Sequence, residues 1–157
     1  MLSRKVEDYL EAILNITNKQ GYTRVKDVSV LLNVKPPSVV EMLKKLNHMG
    51  FVEHKKYGDI ILTPKGYEIA MGVKDKHDTI KAFLEIIKVP RKIADKDACI
   101  IEHELDPITI TQVKSLVEFV KTSPHHPEWL KHFEIFCDTR KHVCEKRDYK
   151  NHTSHGQ

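Results

Sequence analysis

The chain has 157 residues, of which 40% are hydrophobic and 31% charged, enough for one compact unit or two small ones sharing a core. No stretch approaches the ~20 consecutive apolar residues of a membrane span, and Met1 to Asp8 lacks the apolar segment of a signal peptide, so a cytoplasmic protein with no membrane partner is expected. The formal charge of +4 lies entirely in one half: residues 1–76 hold 13 Lys+Arg against 9 Asp+Glu, and residues 77–157 hold 13 against 13. A basic half of this kind is compatible with a surface that faces phosphates. The 3 cysteines are odd in number and unevenly spread, which favours reduced thiols over a disulfide framework.

The first segment, Ser3 to about Asn18, carries Val6, Tyr9, Leu10, Ile13 and Leu14 on one helical face. Gln20-Gly21 ends it. A second, short helix is predicted from about Val25 to Leu32, with Thr23 as its cap. After Asn33-Val34-Lys35, the run Pro36-Pro37-Ser38 opens a third helix that reaches about His48. Proline suits a first turn because the N–H it lacks has no helical partner there. The face to be buried holds Val39, Met42, Leu43, Leu46 and Met49, and the other shows Ser38, Glu41, Lys44, Lys45 and His48.

Gly50 closes this helix, and residues 51–63 read as two short strands around a turn containing Gly58-Asp59. Three helices and a hairpin give the winged helix-turn-helix order. Thr63-Pro64 caps a long helix from Lys65 to about Ile87. Further helices are predicted over Lys92 to Leu105 and Thr109 to Lys121. A break at residues 122–127 precedes a tail helix from Glu128 to about Arg147, and residues 151–157 read as disordered. The expected fold is mainly α: a winged-helix DNA-binding domain at 1–72, an all-helical domain at 73–123, and a C-terminal helix with its tail at 124–157.

Two ligand-like clusters stand on separate predicted helices: Asp8-x-x-Glu11 and Cys99-x-x-Glu102-His103, with His77 between them. Each residue of a helix turns about 100°, so i, i+3 and i+4 share a face and each cluster aims its polar atoms one way. Taken singly, Asp8 and Glu11 fit an acidic first turn, Cys99 a small buried hydrophobe, and Glu102-His103 a surface pair. Taken together around a DNA-binding head, they form a metal site that controls DNA binding. No nucleophile–base pair or phosphate-binding glycine loop occurs, so neither an enzyme nor a small organic substrate is expected.

These stretches resemble the DtxR/MntR family of metal-activated transcriptional repressors. The resemblance rests on residues 6–11, 21–28 and 37–40, on Leu62-Thr63-Pro64-Lys65-Gly66, on His77 and Phe83-Leu84, and on Ile101-Glu102-His103. It covers roughly residues 3–120 and is similar to the short branch that lacks an SH3-like domain. It implies that the helical domain binds metal and forms a homodimer, and that the dimer binds a palindromic operator in double-stranded DNA. It also implies repression of metal-uptake genes. The implied ligands are Asp8, Glu11, His77, Cys99, Glu102 and His103. Cys99 departs from the carboxylate of the short branch and matches the iron-responsive one. That branch's accessory site is broken, since Lys81 and Asp95 stand where a glutamate and a histidine are expected.

Hard oxygens suit Mn²⁺, while imidazole and thiolate pull toward later metals. Fe²⁺ or Mn²⁺ is the expected cofactor, with Zn²⁺ or Co²⁺ able to substitute in vitro. The expected DNA contacts are Pro36, Pro37, Ser38, Glu41, Lys44 and Lys45 on the third helix, and Lys55 and Lys56 on the wing. Cys137, His142 and Cys144 form a second candidate metal cluster, weighed against two thiols packing on an amphipathic tail helix. The rival functions are a metal-storage or buffering protein, and a winged-helix regulator whose metal is purely structural.

Overall fold

The computed structural model describes residues 2–54 and 58–142. Their elements are α1 (Arg4–Gln20), α2 (Val25–Leu31), α3 (Pro36–His48), β1 (Val52–His54), β2 (Ile60–Leu62), α4 (Pro64–Ile86), α5 (Arg91–Ile101), α6 (Pro107–Thr122) and α7 (Glu128–Thr139). The chain divides into two compact units after Val117.

In the first unit, α1, α2, α3 and the hairpin enclose one apolar core. Val6, Tyr9, Leu10, Ile13 and Leu14 of α1 meet Val28, Val39, Leu43 and Leu46 of α2 and α3, closed by Phe51, Val52 and Ile60. The periodic positions of α1 and α3 are thus the buried ones, and Met49 is half-buried beside them. Asn33 at φ 51 makes the turn between α2 and α3, a conformation asparagine tolerates better than most residues. The Val34 N–H there donates to Ser29 O at 3.0 Å. β1 and β2 pair antiparallel, Val52 opposite Leu62 and His54 opposite Ile60.

Thr23 does not cap α2. It is fully buried, and its hydroxyl donates to Ile13 O at 3.2 Å and lies 2.8 Å from Thr17 Oγ1. Arg24 takes the cap position, with its N–H donating to Asp27 Oδ2 at 2.9 Å. The buried hydroxyl serves α1 because Thr23 O also accepts the Ile60 N–H at 2.8 Å, which draws this segment under the hairpin.

Thr63 caps α4 as expected: its hydroxyl accepts the Gly66 N–H at 3.1 Å and donates to Gly50 O at 2.7 Å. The Thr63 N–H donates to Phe51 O at 3.0 Å. Helix α4 is therefore bolted to the head at its first turn, and its 23 residues continue unbroken beyond the head. Its buried face carries Ala70, Val73, His77 and Ile80. Helix α5 packs on it through Ala94 and Ala98, both fully buried, and a smaller core of Ile80, Ala98 and Ile110 forms there with Leu84, Ile101 and Leu105. Helix α5 ends at Ile101, four residues before the expected Leu105. Glu102 is its C-cap and His103 lies in the following turn.

The second unit contains α7, with Leu130 buried and His126 Nε2 lying 3.4 Å from Glu134 Oε2. Helix α7 stops at Thr139, where Arg140 turns left-handed at φ 57. The tail helix was expected to reach Arg147. Residues 139–142 offer no apolar side chain to extend the buried face, and the rest of that expectation, with the tail at 151–157, lies outside the described residues.

Gly66 gives this fold a sharp test. A Cβ there would lie 1.9 Å from Phe51 O, a backbone atom already engaged by Thr63. Gly66→Ala should lower stability by at least about 1–3 kcal/mol, the usual cost of overpacking, read as a lower denaturant midpoint at unchanged m-value. An alanine variant as stable as the parent would contradict the close approach of α4 to the head.

Candidate metal centre and nucleic-acid interface

The packing of α1 and α5 against α4 brings most of the ligand-like side chains together. Asp8, Glu102 and His103 each offer an atom within 4.8 Å of the others, and among the described residues this is the one such group of three. His103 Nδ1 lies 2.8 Å from Glu7 Oε2, and its Nε2 lies 2.9 Å from Asp8 Oδ1 and 3.1 Å from Glu102 Oε1. Glu102 turns its second oxygen to His77, with Oε2 at 2.9 Å from Nδ1. Cys99 Sγ stands 3.7 Å from the same nitrogen. Glu11 lines the same cavity of about 560 Å³, together with Asp8, His77, Cys99 and Glu102.

The electrostatics are those of crowded carboxylates. Burial raises the Asp8 carboxyl above its ordinary value, outweighing the opposing pull of His103 and Arg4. Burial, then the nearby Glu102, raises Glu11. His77 is pushed up to about 11 by its hydrogen bonds to Cys99 and Glu102, against the effect of burial. Asp95 is lowered, first by its hydrogen bond from Lys81.

One atom tests whether a cation fits. His103 Nε2 is buried and makes no hydrogen bond, although two carboxylate oxygens stand at about 3 Å. The contact distances satisfy an ion pair, but their directions do not satisfy a hydrogen bond, and direction decides here because hydrogen bonds weaken steeply off-line. With Nδ1–H donated to Glu7, the Nε2 lone pair would face two anions. A divalent cation at that point removes the conflict, and oxygen and imidazole donors suit Mn²⁺ or Fe²⁺. The residues present fit such an ion.

Periodicity alone missed Glu7. It stands one residue before Asp8, yet it reaches the far side of the same imidazole, the arrangement by which an outer carboxylate fixes a ligating histidine. An acidic doublet with Glu11 at i+4 was the available signal. The shared-face argument also needs correction for His103: α5 has ended, and a turn carries this ring toward α1.

On α3, Pro36, Pro37, Ser38, Glu41, Lys44, Lys45 and His48 are all exposed, opposite buried Val39, Met42, Leu43 and Leu46. This leaves a polar, partly basic ridge free on the third helix of a winged helix-turn-helix. Lys55 and Lys56 lie outside the described residues. Cys137 is half-buried on α7, and the His142 ring packs on Phe136 with centroids 4.6 Å apart. Cys144 lies outside the described residues, and the end of α7 at Thr139 removes the continuous helical face assumed for the Cys137–Cys144 pair.

Comparison with known proteins agrees along the chain. Residues 1–60 match the iron dependent repressor, N-terminal DNA binding domain, and residues 63–131 match the iron dependent repressor, metal binding and dimerisation domain. An uncharacterized HTH-type transcriptional regulator of Methanocaldococcus jannaschii is 39% identical over 122 residues, covering 76% of this chain and 98% of its own. The HTH-type transcriptional regulator MntR of Bacillus pumilus is 35% identical over 131 residues, covering 83% and 91%. Among solved structures, IdeR of T. acidophilum superposes with a TM-score of 0.64 at 32% identity, over 70% of this chain and 52% of that one. The chain thus spans about half the length of that solved relative. With both successive parts of the family matched in order, this chain belongs to the iron-dependent repressors, a family of metal-dependent, DNA-binding transcriptional regulators.

Proposed function

We propose that this chain is a cytoplasmic, homodimeric repressor of metal-uptake genes whose operator binding is switched on by Fe²⁺ or Mn²⁺. The observation that carries the reading is the origin of the donors. Asp8 and Glu11 belong to the first helix of the DNA-binding head, His77 to the long helix, and Cys99, Glu102 and His103 to α5 and the turn after it. A bound divalent cation supplies the positive charge that lets these carboxylates converge. Asp8 and Glu102 then hold α1 against the end of α5, while Glu7 keeps the His103 ring turned toward them. The functional division is a DNA-binding domain at 1–72, a metal-binding and dimerisation domain at 73–123, and a C-terminal segment at 124–157.

Helix α3 enters the major groove, where Ser38, Glu41 and Lys44 reach base edges or groove walls and Lys45 joins Lys55 and Lys56 on phosphates. Ile93 and Ile100, two turns apart on α5, and Ile108 on α6 are 50%, 48% and 73% exposed. Such apolar side chains left to solvent support pairing of two copies through this part of the chain, and a two-fold dimer matches a palindromic operator.

The metal preference is set by Cys99. A thiolate among hard oxygens shifts the balance from Mn²⁺ toward Fe²⁺.

Two outcomes are expected. Stripping metal with a chelator should weaken operator binding at least about tenfold, which is ~1.4 kcal/mol of coupling; mobility-shift titrations with and without metal measure it. Equal affinities would leave the storage reading or a purely structural metal. In anaerobic titrations, Cys99→Glu should move the ratio of Fe²⁺ to Mn²⁺ activation midpoints toward Mn²⁺. An unchanged ratio would remove the exposed Cys99 thiol from the groups that set metal preference.

A further inference from the structure

The imidazole of His77 is held from both sides, and only one side belongs to the ligand set. It is nearly buried on α4, at 8% exposure. Nδ1 faces Glu102 Oε2 at 2.9 Å and Cys99 Sγ at 3.7 Å. Nε2 points the other way, to Asp95 Oδ1 at 3.4 Å. Asp95 is itself paired with Lys81 through that same oxygen. The spacing explains the convergence. Asp95 and Cys99 stand at i and i+4 on α5, and Glu102, its C-cap, at i+7 still has helical backbone angles, so the same face meets the ring three times. Lys81 stands four residues after His77 on α4 and reaches across to the same carboxylate.

A histidine has two ring nitrogens, and the partner of one decides which is free to bind a metal. An outer carboxylate that accepts the second N–H fixes tautomer and ring orientation together. Asp95 is the one carboxylate paired with Nε2 among the described residues. A half-exposed aspartate on its own turns readily to solvent; here the Lys81 ammonium, with a side chain only 22% exposed, holds it in place. Lys81 also partly neutralises Asp95, so the pair orients the ring more than it adds basicity.

We propose that Asp95, clamped by Lys81, is a positioning residue for His77: it takes the Nε2–H and leaves Nδ1, on the Glu102 and Cys99 side, as the ligating atom. This rests on the reading that His77 binds the activating metal, and the test separates the two.

The experiment uses the full-length chain and compares wild type, His77→Ala, Asp95→Ala, Asp95→Glu and Lys81→Met. Mn²⁺ affinity is measured by calorimetry. The His77 ring is read by ¹⁵N imidazole spectra of the diamagnetic Zn²⁺ form, and metal-free thermal midpoints check folding. Asp95→Ala should weaken Mn²⁺ binding about 10–100-fold, the usual effect of losing an outer-shell partner, with little change in the metal-free midpoint. Lys81→Met should weaken it in the same direction by less, and should carry the test if Asp95→Ala fails to fold. Asp95→Glu, which keeps an acceptor, should recover part of the loss. Wild-type His77 should show Nε2–H with Nδ1 bound to metal. Affinity within twofold of wild type in both Asp95→Ala and Lys81→Met, or Nε2 as the ligating atom, overturns the proposal. If His77→Ala alone weakens binding, the positioning role falls and the metal site stands; if His77→Ala also binds like wild type, His77 leaves the ligand set and both fall together.

Discussion

The structure turns on the carboxylate of Glu102. It is 2% exposed, and it gives one oxygen to His77 and the other to His103. A buried carboxylate costs several kcal/mol unless its charge is answered at close range. On one side the answer is His77 of α4, 2.9 Å away; on the other, His103 Nε2 stands 3.1 Å from the second oxygen without a hydrogen bond, which is where a cation fits. Helix α5 ends at Ile101, and the turn after it places the His103 ring against Glu7 and Asp8 of α1. Three helices are thereby registered on one side chain, and the packing of Ala94 and Ala98 against α4 sets how close they come.

The head has the opposite character. Its interior is apolar and periodic, and the buried Thr23 hydroxyl is satisfied locally by Ile13 and Thr17. A well-filled core of this kind resists distortion. The contact between α1 and the turn after α5 is polar instead, and burial holds Asp8 and Glu11 above their ordinary carboxyl range. Helix α1 thus presents two different faces, an apolar one to the core of the head and an acidic one to His103.

Much of this was legible in the amino-acid order. The 3.6-residue period marks the buried faces of α1 and α3, and the switch to alternation at Phe51 marks the hairpin. The Thr63-Pro64 cap announces α4 to within a residue. The exposed ridge of α3 follows directly from the buried one. What periodicity could not show is where side chains meet across elements. Thr23 looked like a cap because its partner, a carbonyl ten residues back on α1, is set by tertiary packing. Glu7 carries no periodic signal, and its role appears only once His103 is placed beside it. Asp95 stood out only as a departure from a familiar pattern, and its pairing with both Lys81 and His77 needs the α4–α5 contact to exist first. Helix α7 ends at Thr139 because Arg140 turns left-handed there, a break that helical periodicity does not announce.

Helix α4 has one more consequence. Pro64 at its start is fixed to the head by the Thr63 cap and by the close approach of Gly66 to Phe51, and His77 stands thirteen residues further along the same unbroken helix. At 1.5 Å per residue that separation is ~20 Å. A stiff rod of that length is a lever: a tilt of about 5° at the histidine end sweeps the other end through ~2 Å. In a symmetric pair the displacement counts twice, once for each arm. On the proposed reading, a small adjustment among the oxygens and nitrogens around His77 is geared up to the scale on which two helices match or miss successive grooves of a duplex.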